Sequence, residues 1–210
     1  MGIALLMIVV FSAIGWSLTK NQTKRRKRIV WGIMVMIGLN PFVSDSAHFS
    51  QVIERAMKAK HTLWIGTADI KDLYVTQGKI EKPFLGVLAG LIGKGVEVRL
   101  IHAKEPGQPF REDFDRYKQL AEGLERVLCP RVHFKIIVID CQTAYIGSAN
   151  LTGAGMGMKS PNRRNFEAGI LTDEPEIVEV AMEEFDKVWR GEMCKKCQRK
   201  QYCGDPIVSK

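Results

Sequence analysis

The first 44 residues contain no acidic side chain, and their six basic ones all lie between Lys20 and Arg28. Residues 2–18 carry no charge at all. A cleaved secretory signal would begin with a basic region, which is missing here, so this alternative is the weaker one. A helix packed on a globular core would need a polar face, which is also missing. We therefore expect residues 2–18 to form a retained membrane anchor, since ~17 apolar residues are the short limit for a spanning helix.

A second apolar run covers residues 29–39 and is followed by Asn40 and Pro41. At ~1.5 Å per residue it would be about 16 Å long, short of a hydrocarbon core of ~30 Å. The basic loop 20–28 is predicted to stay on the cytoplasmic side. The rest of the chain would face outward if both runs span, and would be cytoplasmic if the second lies in the interface; both placements remain open.

The chain has fewer acidic than basic residues, and its formal net charge is +8. The positive charge belongs to the two ends, however, since residues 45–193 hold 20 basic and 22 acidic side chains. The charge therefore does not by itself indicate a nucleic-acid-binding core. We predict an anchor domain at 1–44, one catalytic domain at 45–193, and a basic cysteine-containing tail at 194–210.

Cysteine is scarce, and the count of five is odd, which argues against a complete disulfide framework. Cys194, Cys197 and Cys203 have the spacing of a metal knuckle, for zinc or an iron–sulfur cluster. A closed zinc site needs four ligands. The fourth could come from Cys129, Cys141, a partner chain or a cluster, and a flexible tail with free or disulfide-bonded thiols is the alternative.

Strand and helix patterns alternate through the catalytic domain, which predicts an α/β fold. Expected strands lie at 61–68, 96–101, 135–140, 144–150 and 166–172. Expected helices lie at 50–60, 82–94 and 111–127, with a last helix capped by Asp173 and ended by Gly191.

Residues 131–150 bring together side chains that suit a phosphate group. His133 and Lys135 are two residues apart and share one face of a strand. The hairpin that follows returns Ser148 and Asn150 toward them. An imidazole, an ammonium, a hydroxyl and an amide supply donors for phosphate oxygens and one nucleophile. A core histidine beside a snorkelling lysine would explain either residue alone, but the joint spacing favours the phosphate site.

The pattern His133-x-Lys135-x4-Asp140-x6-Gly147-Ser148-x-Asn150 resembles the signature of the phospholipase D superfamily. Asn165 and Glu167 look like its downstream Asn-x-Glu element, and residues 93–103 resemble its Gly-Val-x-Val-Arg strand. The resemblance covers about residues 48–190. It implies a mixed β-sheet flanked by helices. One copy of the motif is present, as in the short bacterial endonucleases and the mitochondrial Zucchini-type enzymes.

The resemblance also implies roles for the site residues. His133 would attack phosphorus to give a phosphohistidine, and Glu167 would hold the other ring N–H. Phosphate binding would fall to Lys135, Ser148, Asn150 and Asn165. Asp140 belongs to the motif, but it lies an odd number of residues from His133. On a regular strand its side chain therefore faces the opposite side, so we assign it mainly to positioning. No cofactor is expected in catalysis, because no Asp/Glu cluster suits Mg²⁺.

One histidine cannot serve as free nucleophile and protonated acid in the same step. A homodimer that brings two His133 side chains into one composite site is the simplest solution. Three functions are compatible with the chain: a membrane-anchored nuclease, a phospholipase D acting on lipid headgroups, and a non-catalytic membrane-tethered binder. The intact motif argues against the third, and we favour the nuclease.

Overall fold

The computed structural model describes residues 42–71, 73–77 and 80–204. Nine strands are found there: β1 Phe42–Ser44, β2 Thr62–Thr67, β3 Tyr74–Gln77, β4 Ile80–Pro83, β5 Glu97–His102, β6 Leu124–Leu128, β7 Ile136–Ile139, β8 Thr143–Gly147 and β9 Ala168–Thr172. The α-helices are α1 Glu54–Ala56, α2 Phe84–Ile92, α3 Gln108–Asp115, α4 Lys118–Gly123 and α5 Pro175–Trp189. A π-helix, His48–Ile53, leads into α1, and 3₁₀ turns cover Pro161–Arg163 and Lys200–Tyr202.

Seven strands form one mixed sheet in the order β1-β9-β8-β7-β2-β5-β6. The pairs β2–β5 and β5–β6 are parallel, and the other neighbours are antiparallel. Strands β3 and β4 form a separate two-stranded ladder. Helices cover both faces of the large sheet, so the predicted α/β class with a mixed sheet is confirmed.

The central strand β7 is buried on both faces, as its continuous apolar sequence predicts. Ile137 and Ile139 pack into the core that contains α2, whereas Ile136 and Val138 pack into the core that contains α5. On the α5 side, the rings of Trp64 and Phe185 stack with their centroids 5.3 Å apart. Strand β7 is therefore a rigid base for the residues that precede it.

The predicted boundary between anchor and catalytic domain falls beside an edge strand of the large sheet. Phe42–Ser44 were assigned to the anchor, but they form β1, which pairs antiparallel with β9. A three-residue strand held by one neighbour leaves no periodic pattern in the sequence. The two predicted anchor segments lie outside the described residues. Within the described ranges, no helix combines the length and apolar character that a membrane crossing requires.

The predicted helix at 111–127 is wrong in its last four residues. The chain there forms α3, then α4, and then the strand β6. Strand β6 runs parallel to β5, and Glu125 accepts a 2.9 Å hydrogen bond from Arg99 of that strand. Sheet pairing at the edge thus overrides the helical appearance of a charged stretch.

The last helix was predicted correctly, but not its cap. Helix α5 starts after Glu174, and Asp173 makes no cap hydrogen bond. The Asp173 carboxylate instead accepts hydrogen bonds from Thr143 (2.5 Å) and Arg55 (3.2 Å). Gly191 has a φ of +65°, which suits the left-handed residue expected after a helix.

Candidate active site

His133 and Lys135 lie directly before β7, at the edge of the sheet where the parallel strands β2 and β5 end. The Lys135 Nζ donates a 2.6 Å hydrogen bond to the His133 carbonyl oxygen. The same Nζ lies 3.4 Å from His133 Nδ1. The predicted proximity of imidazole and ammonium is therefore present, with His133 exposed and Lys135 buried.

Burial gives Lys135 its electrostatic character. Removal from water lowers the pKa of the ammonium, and the Glu167 carboxylate opposes part of that shift. A poorly hydrated cation gains more from a phosphate anion than a hydrated one does, because less water must be displaced. Lys135 is therefore suited to bind an anion that reaches His133.

Ser148 and Glu167 meet where β8 ends beside the start of β9. The Ser148 hydroxyl donates to a Glu167 carboxylate oxygen and accepts a 3.1 Å hydrogen bond from the Ala168 N–H. The other carboxylate oxygen accepts from the Asn165 amide at 3.0 Å. The pairing of β8 with β9 thus unites both predicted sequence elements at one point.

One predicted contact differs in the structure. Glu167 was expected to hold a ring N–H of His133, yet its two oxygens are bonded to Ser148 and Asn165. No hydrogen bond joins Glu167 to His133 in the described part of the chain. The reason is the strand register, which places the Ser148 hydroxyl directly beside the backbone of Ala168.

Asn150 is oriented by two residues that the sequence analysis missed. Its Oδ1 accepts from the Asp69 N–H at 3.0 Å and from the Thr67 hydroxyl at 3.3 Å. A backbone N–H can only donate, so Oδ1 must face Asp69, and the NH₂ group is the side that can donate to a phosphate. One signal could have identified them: Thr67 and Asp69 lie at the carboxyl end of β2, a strand parallel to β5, and ligand sites commonly lie at such strand ends.

A buried hydrogen-bonded chain supports the turn after β8. The Ala149 N–H donates to the Tyr145 hydroxyl at 3.3 Å, and that hydroxyl lies 2.9 Å from His48 Nε2. His48 Nδ1 lies 2.9 Å from the Asp45 carbonyl oxygen, which can only accept. Nδ1 therefore carries a proton, and in the neutral ring Nε2 accepts the hydrogen bond that the Tyr145 hydroxyl donates. Burial raises the pKa of Tyr145 to about 12, so this donor is retained at neutral pH.

Asp45 connects this chain to Glu167. The Asp45 N–H donates to the Glu167 carbonyl oxygen at 3.1 Å, and the Glu167 N–H donates to an Asp45 carboxylate oxygen at 3.4 Å. The glycine of the motif has a steric role beside it. A Cβ at Gly147 would collide with the Tyr145 hydroxyl and would lie 2.7 Å from the Ala168 carbonyl oxygen.

Asp140 lies at the other end of β7 from Lys135, roughly 16 Å away at ~3.3 Å per residue. Its carboxylate accepts from the backbone N–H groups of Lys60, His61 and Thr62, at 2.7 to 3.1 Å. Burial alone would raise the pKa of this group, but these donors hold it below its usual value. Asp140 fixes the start of β2, which agrees with a positioning role.

The remaining histidines are not positioned as catalytic acids. His61 precedes β2, at the Asp140 end of the sheet. His102 is fully buried, and its Nδ1 lies 2.7 Å from the Lys104 carbonyl oxygen. Burial lowers the pKa of His102, which favours the neutral ring. The chain contains four histidines, so a second imidazole at the site is not supplied by the same chain.

Comparison with proteins of known structure finds this fold elsewhere. NucT from Helicobacter pylori is 15% identical, with a TM-score of 0.51 over 72% of this chain and 95% of that one. Nuc from Salmonella typhimurium, a phospholipase D family member, is 19% identical, with a TM-score of 0.48 over 72% and 93%. The phosphatidylserine synthase of Haemophilus influenzae is 15% identical, with a TM-score of 0.48 over 72% and 38%. At this identity, the likeness to NucT shows a shared fold.

No curated protein matches the chain. The family model described as "Cardiolipin synthase, PLD-like domain" matches residues 52–189, which include β2 to β9 and all of α5. The match spans well over half of the 210 residues and contains the whole sequence motif. The chain therefore belongs to the phospholipase D-like family, as its motif predicted.

Proposed function

We propose that this protein is a membrane-anchored nuclease that cleaves phosphodiesters through a covalent intermediate on His133. Phospholipase D-like enzymes act on phosphodiesters and need no cofactor for catalysis. The observation that carries the proposal is that His133 lies beside Lys135 and Ser148 beside Glu167, while the Gly147 N–H bonds to the Lys135 carbonyl oxygen, so that both pairs lie at the edge where β7 begins and β8 ends. That edge presents a nucleophile, a cation and hydroxyl and amide donors to one anion.

In the first step, an unprotonated ring nitrogen of His133 attacks phosphorus. The bond between phosphorus and the leaving oxygen breaks, and that oxygen takes a proton from a second, protonated imidazole. Lys135 and the Asn150 amide bind the non-bridging oxygens, whose charge rises in the transition state. To donate to these oxygens as well, Ser148 must exchange its hydrogen bond to Glu167 for one to the phosphate.

In the second step, water attacks the phosphohistidine. The second imidazole, now neutral, takes a proton from the water, and the P–N bond breaks to free His133. Both imidazoles return to their starting protonation states, so the cycle balances without a metal ion. Each acid–base transfer contributes ~10² to 10⁴ in rate.

The second imidazole is proposed to be His133 of a second copy of the chain. His48 and His102 are buried and His61 lies at the opposite edge, so one chain leaves the site incomplete. A row of exposed apolar side chains lies on the three neighbouring strands beside the site. Phe42, Ile170 and Ile146 are cross-strand neighbours, with 68%, 43% and 37% of their surfaces exposed. A two-fold dimer would cover this row and bring the two sites together.

The segment next to Glu167 favours nucleic acid as the substrate. Phe166 is 98% exposed and stands between Asn165 and Glu167, and Arg163 and Arg164 precede it. An aromatic ring beside cations is the arrangement that stacks an unpaired base and binds its backbone. The second candidate is hydrolysis of phospholipid headgroups, which the apolar segments 2–18 and 29–39 favour because they would hold the site near lipid.

The substrate is tested with the full chain in detergent. We expect cleavage of single-stranded DNA or RNA, no cleavage by the His133→Asn variant, and little release of headgroups from phospholipid vesicles. Loss of base stacking in Phe166→Ala should weaken oligonucleotide binding about 5- to 160-fold, as stacking is worth ~1–3 kcal/mol. The matched control Tyr202→Ala removes another exposed aromatic ring and should change nothing. Headgroup release that depends on His133 and exceeds oligonucleotide cleavage would replace the nuclease with a phospholipase.

A further inference from the structure

Four of the five cysteines converge beside the segment that leads to His133. Cys129, Cys194 and Cys197 line one pocket between the β6–β7 connection and the end of α5. The Cys203 Sγ lies 3.7 Å from the carbonyl oxygen of Leu128, the residue before Cys129. All four are partly buried, whereas Cys141 is exposed in the β7–β8 turn. We propose that Cys129, Cys194, Cys197 and Cys203 form a structural zinc site.

The backbone around these cysteines is arranged as in metal-binding turns. The Cys197 N–H donates to the Cys194 carbonyl oxygen at 3.1 Å, which closes the Cys194–Cys197 turn. The Arg199 N–H donates to the Cys197 Sγ at 3.4 Å. Cys129 begins a second turn, closed by a 3.0 Å bond from the Val132 N–H to its carbonyl oxygen. An N–H donor stabilises a thiolate, which is the form that binds metal.

The local charge also suits four thiolates around a divalent cation. Such a centre carries a formal charge of −2, which nearby cations would offset. Arg131 and Lys187 line the pocket together with one acid, Glu184.

Metal binding would require the side chains to close around the ion. Across the described residues, no three His, Cys, Asp or Glu side chains already have the arrangement that a metal ion needs. Cys129, Cys194 and Cys197 already line one pocket, and closure of the ligands is coupled to metal binding. Zinc would then join the tail to the connection 129–135 and so support His133 and Lys135. Tetrahedral thiolate coordination with four ligands is typical of structural zinc.

The test is the metal content of the full chain, purified from zinc-supplemented medium. We expect about one zinc ion per chain in the wild type, as for a closed four-cysteine site. Cys141→Ser is the matched control and should keep the ion, because Cys141 lies at the other end of β7. Cys129→Ser and Cys194→Ser should both lose it. Cobalt substitution should give the absorption of tetrahedral thiolate coordination in the wild type and in Cys141→Ser only.

Each of several outcomes would overturn this assignment. Folded wild-type protein without zinc, whose melting temperature does not rise when zinc is added, would exclude the site. Zinc retained in Cys129→Ser would remove Cys129 as the fourth ligand, and zinc lost in Cys141→Ser would point to another set. An iron–sulfur chromophore would exclude zinc. If Cys129→Ser does not fold, the tail variant Cys194→Ser and the cobalt spectrum still decide the question.

Discussion

At the scale of single residues, Tyr145 connects the catalytic turn to the core. Its hydroxyl accepts from the Ala149 N–H and donates to His48, so the motif residue Ser148 lies one position before an anchored amide. Buried polar groups that lose a partner cost more than the hydrogen bond itself contributes. Because its hydroxyl bonds both the Ala149 N–H and His48, Tyr145 is a positioning residue.

We predict that Tyr145→Phe lowers the free energy of unfolding by about 1–3 kcal/mol, since two buried groups lose their partner. Urea unfolding at pH 8 measures this, with the exposed Tyr202→Phe as control. The pH dependence is a second readout. The folded-state pKa of about 12 exceeds the unfolded value of 10.0, so the unfolded state ionises first and wild-type stability falls between these values. Tyr145→Phe should lack this fall, and equal curves for the two proteins would contradict the assignment.

The motif residues proposed to contact the substrate could be predicted from the sequence, whereas the residues that position them could not. Fixed spacing predicted that His133, Lys135, Ser148 and Asn150 lie together, because strand periodicity and one short hairpin determine their positions. The structure places His133 beside Lys135, and Gly147, the residue before Ser148, opposite Lys135. Thr67, Asp69 and His48 are far from the motif in sequence, and only the sheet order brings them to it. The partner of Glu167 depends on the β8–β9 register, which sequence does not reveal.

At the scale of secondary-structure elements, Asp140 joins the β7–β8 hairpin to the start of β2. Asp140 and Cys141 have φ values of +53° and +54°, the left-handed geometry of a tight hairpin turn. The Asp140 carboxylate accepts three backbone N–H groups of the segment 60–62. One side chain thus aligns two strands of the sheet centre, far from the proposed chemistry.

We predict that Asp140→Asn destabilises the protein by about 1–3 kcal/mol, because charge-assisted hydrogen bonds are replaced by neutral ones. Asparagine tolerates the same left-handed backbone, so the variant isolates the charge. Turnover at saturating substrate should stay near the wild-type value. Because the pKa of Asp140 in the folded state lies below its ordinary value of 3.8, the difference in stability between the two proteins should be complete above that pH and vanish as the pH falls through the folded-state pKa.

Chemical denaturation of both proteins between neutral and acidic pH, together with turnover, checks this prediction. The exposed Asp115→Asn is the matched control and should leave both quantities unchanged. A stable Asp140→Asn protein with strongly reduced turnover would instead assign Asp140 to the catalytic machinery.

Element prediction succeeded where burial imposed a pattern and failed at the sheet edges. The buried β7 and the amphipathic α5 have clear periods in the sequence. Strand β6 is an edge strand with charged Glu125 and Arg126, so its sequence fits a helix equally well. Strand β1 is too short for any period, and it exists because β9 offers hydrogen-bonding partners.

At the scale of the whole molecule, the proposed mechanism requires two copies of the chain. One chain supplies a nucleophile, a cation and an amide donor, and the other histidine at this edge, His102 at the end of β5, is fully buried. The exposed row of Phe42, Ile146 and Ile170 supports a dimer on the side where the site lies. The composite site is the central claim, because the proposed proton transfers depend on two histidines in opposite protonation states.

The most direct test is the activity of a purified heterodimer. Wild-type and His133→Ala chains with different tags are co-expressed, and two affinity steps isolate the mixed dimer for comparison with the wild-type dimer. A composite site should lose about 10²-fold or more, because general acid–base help is worth ~10² to 10⁴ and one imidazole is missing. A heterodimer with half of the wild-type activity, or full activity in a monomeric fraction, would show that one chain suffices and would contradict the account.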